Sequence, residues 1–104
     1  MSDEKVPVAC NPRALSPEEW AEHQAMTERL FGELREAAEE LSDGYAFRFP
    51  PTALPLVTAF IDRERRCCPF FTFNLVAPPA EAPIGLSITG SPEAKAVLAA
   101  ELLP

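Results

Sequence analysis

The chain has 104 residues, of which 47% are apolar, and its formal net charge is -7 at pH 7. A chain of this length forms about one small domain, so we expect a single domain over residues 1–104 with one modest core. The acidic balance argues against a nucleic-acid partner, and the lack of an apolar run of about 18 residues argues against a membrane partner.

The N-terminal residues 1–14 are predicted to form an extended lead-in that carries Cys10. Their first ten letters, MSDEKVPVAC, lack the basic start and apolar stretch of a secretory signal, so we expect a cytoplasmic protein. The cytosol keeps cysteines reduced. The chain holds three cysteines, and an odd number does not form a complete set of disulfides within one chain.

The letters SPEE at positions 16–19 predict the start of a first helix. Ser16 can cap it, Pro17 suits its first position, and Glu19 completes a capping box. We expect this helix to run to about Leu41 and to end at Gly44, which can take a left-handed conformation.

Further elements follow in chain order. YAFRF, residues 45–49, alternates apolar and polar letters and predicts a strand. Thr52 can cap a second helix that continues to about Cys67. Residues 70–76 and 84–88 predict two more strands, and Ser91 can cap a last helix that ends near Leu103.

This order, helix-strand-helix-strand-strand-helix, predicts an α+β fold with a small three-stranded antiparallel or mixed sheet. The third strand would fill the slot between the first two, as in a truncated ferredoxin-like sheet, because a right-handed crossover leaves such a slot. The core would include six apolar side chains of the strands: Phe47, Phe71, Phe73, Leu75, Leu86 and Ile88.

An apolar stripe follows one face of the second helix and contains a carboxylate. Glu64 precedes Cys67 by three residues and Cys68 by four, so it shares a face with both. In one interpretation Glu64 lies at the rim and pairs with a nearby arginine. In the other it faces the thiols as a base, a ligand or a hydrogen-bond acceptor, because a carboxylate within an apolar stripe needs a partner.

Pro69 predicts that the helix ends between the two cysteines, because proline disfavours helical geometry at the residue before it. We therefore expect Cys67 and Cys68 to leave the backbone differently, one towards the core and one towards the lead-in. The nearby Arg65 and Arg66 would favour thiolates. Alternatively, the cysteines are small apolar residues that pack where a helix meets a strand.

A lead-in that folds back over the end of the second helix would bring Cys10 to Cys67 and Cys68. Three thiolates select soft or borderline ions, so the predicted metal ligands are these cysteines with Glu64, and the ion is Hg(II), Cu(I) or Zn(II). Without a fourth ligand, a trigonal soft ion fits better than tetrahedral zinc. His23 could complete a Cys3His set or be packed and hydrogen-bonded in the core. We predict no organic cofactor and no catalytic residue.

These motifs together resemble those of a little-characterised family of small bacterial proteins with the pattern E-x-x-C-C-P-F-x-x-F. The matching segments are Cys10 before SPEEW, then GYAFRF, ERRCCPFFTF and SITGSPEAKAVL. Members resembling this chain occur beside or fused to heavy-metal regulators of the mercury-resistance type. The resemblance implies a metal-related role and a metal-responsive regulator as a partner. The DNA-binding helices of such a regulator are not among these segments.

Three functions remain open from the sequence. The first is a thiol-based binder of a heavy-metal ion, an accessory to metal resistance or sensing. The second is a thiol redox protein or enzyme in which Cys67 or Cys68 is the nucleophile. The third is a non-catalytic interaction module that uses its acidic surface or the sheet face around Phe70, Thr72 and Asn74, where Phe70 could pack in a homodimer or under the first helix. The pattern favours the binder over an enzyme, because the chain has no C-x-x-C motif.

Overall fold

A computed structural model describes residues 9–103. After a short 3-10 turn, the main elements are α1 (Pro17–Glu28, continued by a π-helical segment, Arg29–Leu34), β1 (Ala37–Leu41), β2 (Gly44–Phe49), α2 (Leu54–Cys67), β3 (Thr72–Val76), β4 (Ile84–Thr89) and α3 (Pro92–Leu102). Within this described range no helix is long and apolar enough to cross a bilayer. Residues 1–8, which include most of the predicted lead-in, lie outside the description.

The described strands form one four-stranded antiparallel sheet in the order β1-β2-β4-β3. Leu86 of β4 lies opposite Phe47 of β2 on one side and Leu75 of β3 on the other. The α+β class is therefore confirmed. The predicted three-stranded, truncated ferredoxin-like sheet is replaced by a four-stranded one, because β1 adds an edge strand.

Strand β1 corrects the predicted length of the first helix. Its letters, AAEEL, favour a helix, and the sequence placed them in one that ran to Leu41. Instead the backbone turns extended at Arg35, and Ser42 and Asp43 form a turn that leads into β2. All five residues of β1 then pair with β2. Tertiary pairing therefore overrides the local helix propensity.

The predicted helix starts are confirmed at two of three places. Ser16 and Glu19 form the reciprocal capping box, and the Ser91 side chain accepts a hydrogen bond from the backbone of α3. Thr52 is not a cap, because it lies within a 3-10 turn and Ala53 precedes α2. Of the six predicted core side chains, Phe47, Phe71, Leu86 and Ile88 are buried, and Phe73 and Leu75 are partly buried against them.

Gly44 is required by close contact between strands rather than by a left-handed backbone. Its φ is not positive, which corrects the predicted helix-ending role. It lies opposite Thr89 at the end of β2, and a Cβ atom there would overlap the carbonyl group of Ile88. Any side chain at this position would push β2 and β4 apart.

We therefore predict that Gly44→Ala lowers the free energy of unfolding by about 1–3 kcal/mol, the usual effect of overpacking. Gly85→Ala is the matched control, because a Cβ at this β4 glycine would have no heavy atom within 4 Å. Urea denaturation of both variants measures the difference. Equal losses at the two positions would show that the close approach to Ile88 is not what requires glycine.

Candidate functional site

Helix α2 ends between the two cysteines, as predicted. Cys67 is the last helical residue, whereas Cys68, which precedes Pro69, has φ -124° and ψ 75°. The Cys67 side chain is fully buried as a free thiol, while Cys68 faces the lead-in. The predicted divergence of the two side chains is confirmed.

The lead-in returns to the end of α2 and is held there covalently. Cys10 and Cys68 form a disulfide with their Cα atoms 4.4 Å apart. The backbone N–H of Asn11 also donates a hydrogen bond to the Cys67 carbonyl. The predicted approach of Cys10 is confirmed, although the sequence did not predict the disulfide itself.

The third sulfur lies beside this disulfide. The Cys67 Sγ is 3.8 Å from the Cys68 Sγ. It also lies 3.7 Å from the backbone carbonyl oxygen of Glu64 and 3.8 Å from the Glu64 Oε1 atom, so the thiol has acceptors within reach. The structure therefore gathers all three cysteine sulfurs at the end of α2.

Glu64 is buried and hydrogen-bonded, which excludes the predicted rim position. Only 5% of it is exposed, and its Oε1 atom lies 2.6 Å from the Nε2 atom of His23, a residue that is 2% exposed. The neighbouring Arg66 instead pairs with Asp62 and Glu19 at the surface. Glu64 thus faces the thiols, and His23 is its principal partner.

The imidazole of His23 is fixed by aromatic stacking. Its ring is nearly parallel to Trp20 and Phe60, with centroids 6.0 and 5.4 Å away. With the Glu64 carboxylate as the acceptor, the His23 Nε2–H group is the donor, so the Nε2 atom of a neutral ring carries the proton. The opposite nitrogen, Nδ1, is buried and has no hydrogen-bond partner among the described residues. The structure therefore gives His23 a packed, hydrogen-bonded role, with Nε2 facing Glu64.

Glu101 of α3 is the site residue that sequence reasoning missed. Its Oε1 atom lies 3.7 Å from the Cys10 Sγ. Although the residue as a whole is exposed, burial of the carboxyl group and the nearby charge of Glu64 raise the pKa of Glu101 to about 7. The signal was available, because Glu101 is a carboxylate in a largely apolar helix, as Glu64 is in its stripe.

The Cys67 thiol is protonated at neutral pH. Burial, followed by the charges of Glu64 and Glu101, raises the pKa of Cys67 to about 12. The predicted thiolate-favouring effect of the arginines is therefore wrong for Cys67. Arg66 is paired with surface acids, and Arg65 is exposed, so carboxylates rather than guanidinium groups face the sulfur.

A cleft of about 370 Å³ opens onto the site between α1, the end of α2 and α3. Its lining includes Trp20, His23, Glu28, Glu64, Cys68 and Glu101. No lysine or arginine lines it within the described part of the chain, so its electrostatic character is acidic. Cys68, which is only 2% exposed, and Glu101 line the cleft, whereas Cys67 is not part of its lining.

The donor atoms fall into closely spaced groups. Cys10, Cys68 and Glu101 offer atoms within 4.8 Å of one another, and so do His23, Glu64 and Cys67. Thiolate and imidazole donors suit soft and borderline ions, and zinc also accepts carboxylate oxygen. The four predicted site residues are therefore divided between two neighbouring groups, which the 3.8 Å contact between the Cys67 and Cys68 sulfurs joins. The structure adds Glu101 to the first group and His23 to the second.

We predict that Glu64→Gln lowers the pKa of Cys67, because the substitution removes a negative charge 3.8 Å from its sulfur. Thiolate absorbance of the disulfide form, corrected with the Cys67→Ala variant, follows this single thiol. Glu22→Gln, at an exposed position of α1, is the charge-matched control. A Cys67 titration that is identical in the two glutamine variants would remove Glu64 as a cause of the shift.

Stability should also depend on pH through Cys67. The unfolded chain ionises this thiol near the ordinary value of about 9 and the folded protein near about 12, so the folded state binds the proton more tightly. The contribution is fully present below pH 9 and is lost as pH rises towards 12. Urea denaturation across this range should show a steeper loss for the wild type than for Cys67→Ala, and parallel losses would contradict the assignment.

Comparisons with known proteins were made once the site had been described. No family model, no curated protein and no solved structure matches this chain.

Proposed function

We propose that the reduced protein binds a thiophilic metal ion, Hg(II), Cu(I) or Zn(II), through Cys10, Cys67 and Cys68. The observation that carries this proposal is the convergence of three sulfurs at the end of α2. Cys10 is bonded to Cys68, and the Cys67 Sγ lies 3.8 Å from the Cys68 Sγ. Soft thiolates at such spacing favour soft or borderline ions over hard ones.

Reduction is the step that makes the ligands available. Two thiols give two electrons and two protons to the Cys10–Cys68 bond and leave as a disulfide, which converts the bond into two thiols. A phosphine gives the two electrons instead, and water supplies the two protons and the oxygen of the phosphine oxide. A reducing cytoplasm maintains this state. The ion then displaces the thiol protons, including that of Cys67, because a metal-bound thiol is deprotonated outright. Binding should therefore release protons and weaken at low pH.

On this proposal Glu64 supports the cysteine ligands and does not itself bind the ion. Its Oε1 atom accepts a hydrogen bond from His23 at 2.6 Å and lies 3.8 Å from the Cys67 Sγ. Hydrogen-bonded carboxylates next to metal ligands orient those ligands and tune their basicity. Glu64 therefore fixes the position of Cys67 and accepts hydrogen bonding from its thiol before the ion arrives.

The cellular role that fits this chemistry is an accessory to heavy-metal sensing or resistance in the cytoplasm. The resemblance of ERRCCPFFTF to segments found beside heavy-metal regulators supports the same role. On this proposal the partner, beyond the ion, is a metal-responsive regulator or a second copy of the chain. The acidic cleft would attract cations to the thiols in either case.

We predict that each of the three substitutions Cys10→Ser, Cys67→Ser and Cys68→Ser lowers the affinity of the reduced protein for Cu(I) or Hg(II) by about tenfold or more. Loss of a residue that supports a ligand already weakens metal binding by about tenfold, and loss of the ligand itself should weaken it at least as much. Competition with a chromophoric chelator measures this affinity. Glu22→Gln, an exposed position on α1, should bind as the wild type does. Thermal melts of the metal-free proteins identify any variant that fails to fold. Wild-type affinity in all three serine variants would refute the proposed site.

A second candidate function is thiol redox chemistry, which the Cys10–Cys68 bond itself favours. A dithiol substrate would give two electrons and two protons to this bond and leave as a disulfide. Turnover of a small dithiol with a disulfide as the terminal oxidant tests this function. The high pKa of Cys67 argues against that residue as the nucleophile, since the thiolate is the attacking species. We expect stoichiometric reduction without turnover, and sustained turnover would favour the redox function.

A further inference from the structure

The carboxylate of Glu101 lies next to the sulfur atoms from a third part of the chain. The lead-in supplies Cys10, the end of α2 supplies Cys67 and Cys68, and α3 supplies Glu101. The Glu101 Oε1 atom is 3.7 Å from the Cys10 Sγ, and donor atoms of Cys10, Cys68 and Glu101 all lie within 4.8 Å of one another. An oxygen donor is therefore present beside the sulfurs of Cys10 and Cys68, and Cys67 lies next to Cys68.

We infer that Glu101 is the fourth ligand of the reduced site, and that the resulting three-sulfur, one-oxygen set gives Zn(II) the four donors that its tetrahedral geometry requires. This inference rests on the proposed metal-binding function and specifies its ion. It also revises the expectation from sequence, in which three sulfurs without a fourth donor favoured a trigonal ion. An oxygen donor favours the harder, borderline ion, and four donors suit the tetrahedral geometry of zinc.

Two of the distances already fit such a centre. Zinc bonds of about 2.3 Å to sulfur and about 2.0 Å to oxygen, at tetrahedral angles, separate two sulfurs by about 3.8 Å and a sulfur from an oxygen by about 3.5 Å. The Cys67 and Cys68 sulfurs are 3.8 Å apart, and the Cys10 sulfur is 3.7 Å from the Glu101 oxygen. After reduction the bonded pair, Cys10 and Cys68, must separate by about 1.7 Å. Cys67 lies in the neighbouring group of donors with His23 and Glu64, so its sulfur must move towards Cys10 and Glu101 to complete the set.

Glu101 is better placed for ligation than Glu64. The Glu64 Oε1 atom is held by His23 at 2.6 Å, and the residue is 5% exposed. If Glu64 were the ligand, an ion at Oε1 would displace the hydrogen bond from His23. Glu101 lines the cleft, and its Oε1 atom lies beside the Cys10 sulfur. The buried carboxylate therefore supports Cys67, and the cleft carboxylate completes the coordination.

The test compares Glu101→Gln with Glu28→Gln in the reduced protein. Both substitutions remove a carboxyl group from the lining of the same cleft, so the comparison separates loss of the donor beside the sulfurs from loss of an acidic group elsewhere in the cleft. Zn(II) and Cu(I) affinities are measured by competition with chromophoric chelators under a phosphine reductant. We expect Glu101→Gln to weaken Zn(II) binding by about tenfold or more while changing Cu(I) binding by less than about threefold. We expect Glu28→Gln to match the wild type for both ions.

Cobalt provides an independent readout of coordination. In Co(II)-loaded protein, the intense d–d absorption of tetrahedral cobalt should change in position or intensity in Glu101→Gln and stay unchanged in Glu28→Gln. Glu101→Asp, which keeps the carboxylate on a shorter side chain, should retain the tetrahedral spectrum or recover part of the Zn(II) affinity. Zinc X-ray absorption of the wild type should give three sulfur neighbours and one oxygen neighbour, as ligation by Glu101 requires, and the Glu101→Asp spectrum keeps the test available even if Glu101→Gln fails to fold.

The outcomes separate this inference from the proposed function. If the wild type binds none of Zn(II), Cu(I) and Hg(II), the proposed function fails, and the role of Glu101 fails with it. If both ions bind but Glu101→Gln and Glu28→Gln have the same Zn(II) affinity and the same cobalt spectrum, Glu101 is not a ligand and the three-sulfur site stands. A zinc neighbour count other than three sulfurs and one oxygen would also overturn the role of Glu101.

Discussion

The buried contact between Glu64 and His23 is the constraint on which the site depends. Taking a carboxylate out of water is strongly unfavourable unless hydrogen bonds replace its hydration. Here the imidazole of α1 approaches the carboxylate of α2 to 2.6 Å, and stacking on Trp20 and Phe60 holds the ring in place. The contact therefore fixes α1 against α2 and presents the opposite side of the Glu64 carboxylate to Cys67.

The same contact sets the electrostatics around the sulfurs. Glu64 is held close to the Cys67 Sγ, and Glu101 approaches from α3, so negative charge rather than the nearby arginines surrounds the thiols. An anionic environment keeps thiols protonated and slows their reaction as nucleophiles. The same negative charges attract a metal cation, and the positive charge of the cation offsets the cost of deprotonating the thiols. The environment therefore suits metal ligation better than covalent catalysis.

Features that depend on residues close together in the sequence could be predicted from that sequence. The capped helix starts, the helix end before Pro69 and the placement of Glu64 against the thiol all follow from neighbouring residues. Strand β1 could not be predicted in this way, because its letters favour a helix and only pairing with β2 makes it a strand. The contacts of His23 and Glu101 were beyond prediction for a related reason, since each depends on how separate helices pack across long stretches of chain.

The Cys10–Cys68 connection spans 58 positions and encloses α1, β1, β2 and α2. The bond closes a loop of this length in the unfolded chain and so lowers the conformational entropy of that state. This effect stabilises the folded protein by about 4 kcal/mol. Reduction removes that constraint, and on the proposed function an ion shared by Cys10 and Cys68 would restore it. The segment around Cys10 is thus fastened by a covalent bond in the oxidised protein and, on the same proposal, by coordination in the metal-bound one. In the reduced, ion-free state, no link between Cys10 and Cys68 remains, and the backbone hydrogen bond from Asn11 becomes the nearest tether. Protease sensitivity of the N-terminal segment would therefore report the occupancy of the sulfurs.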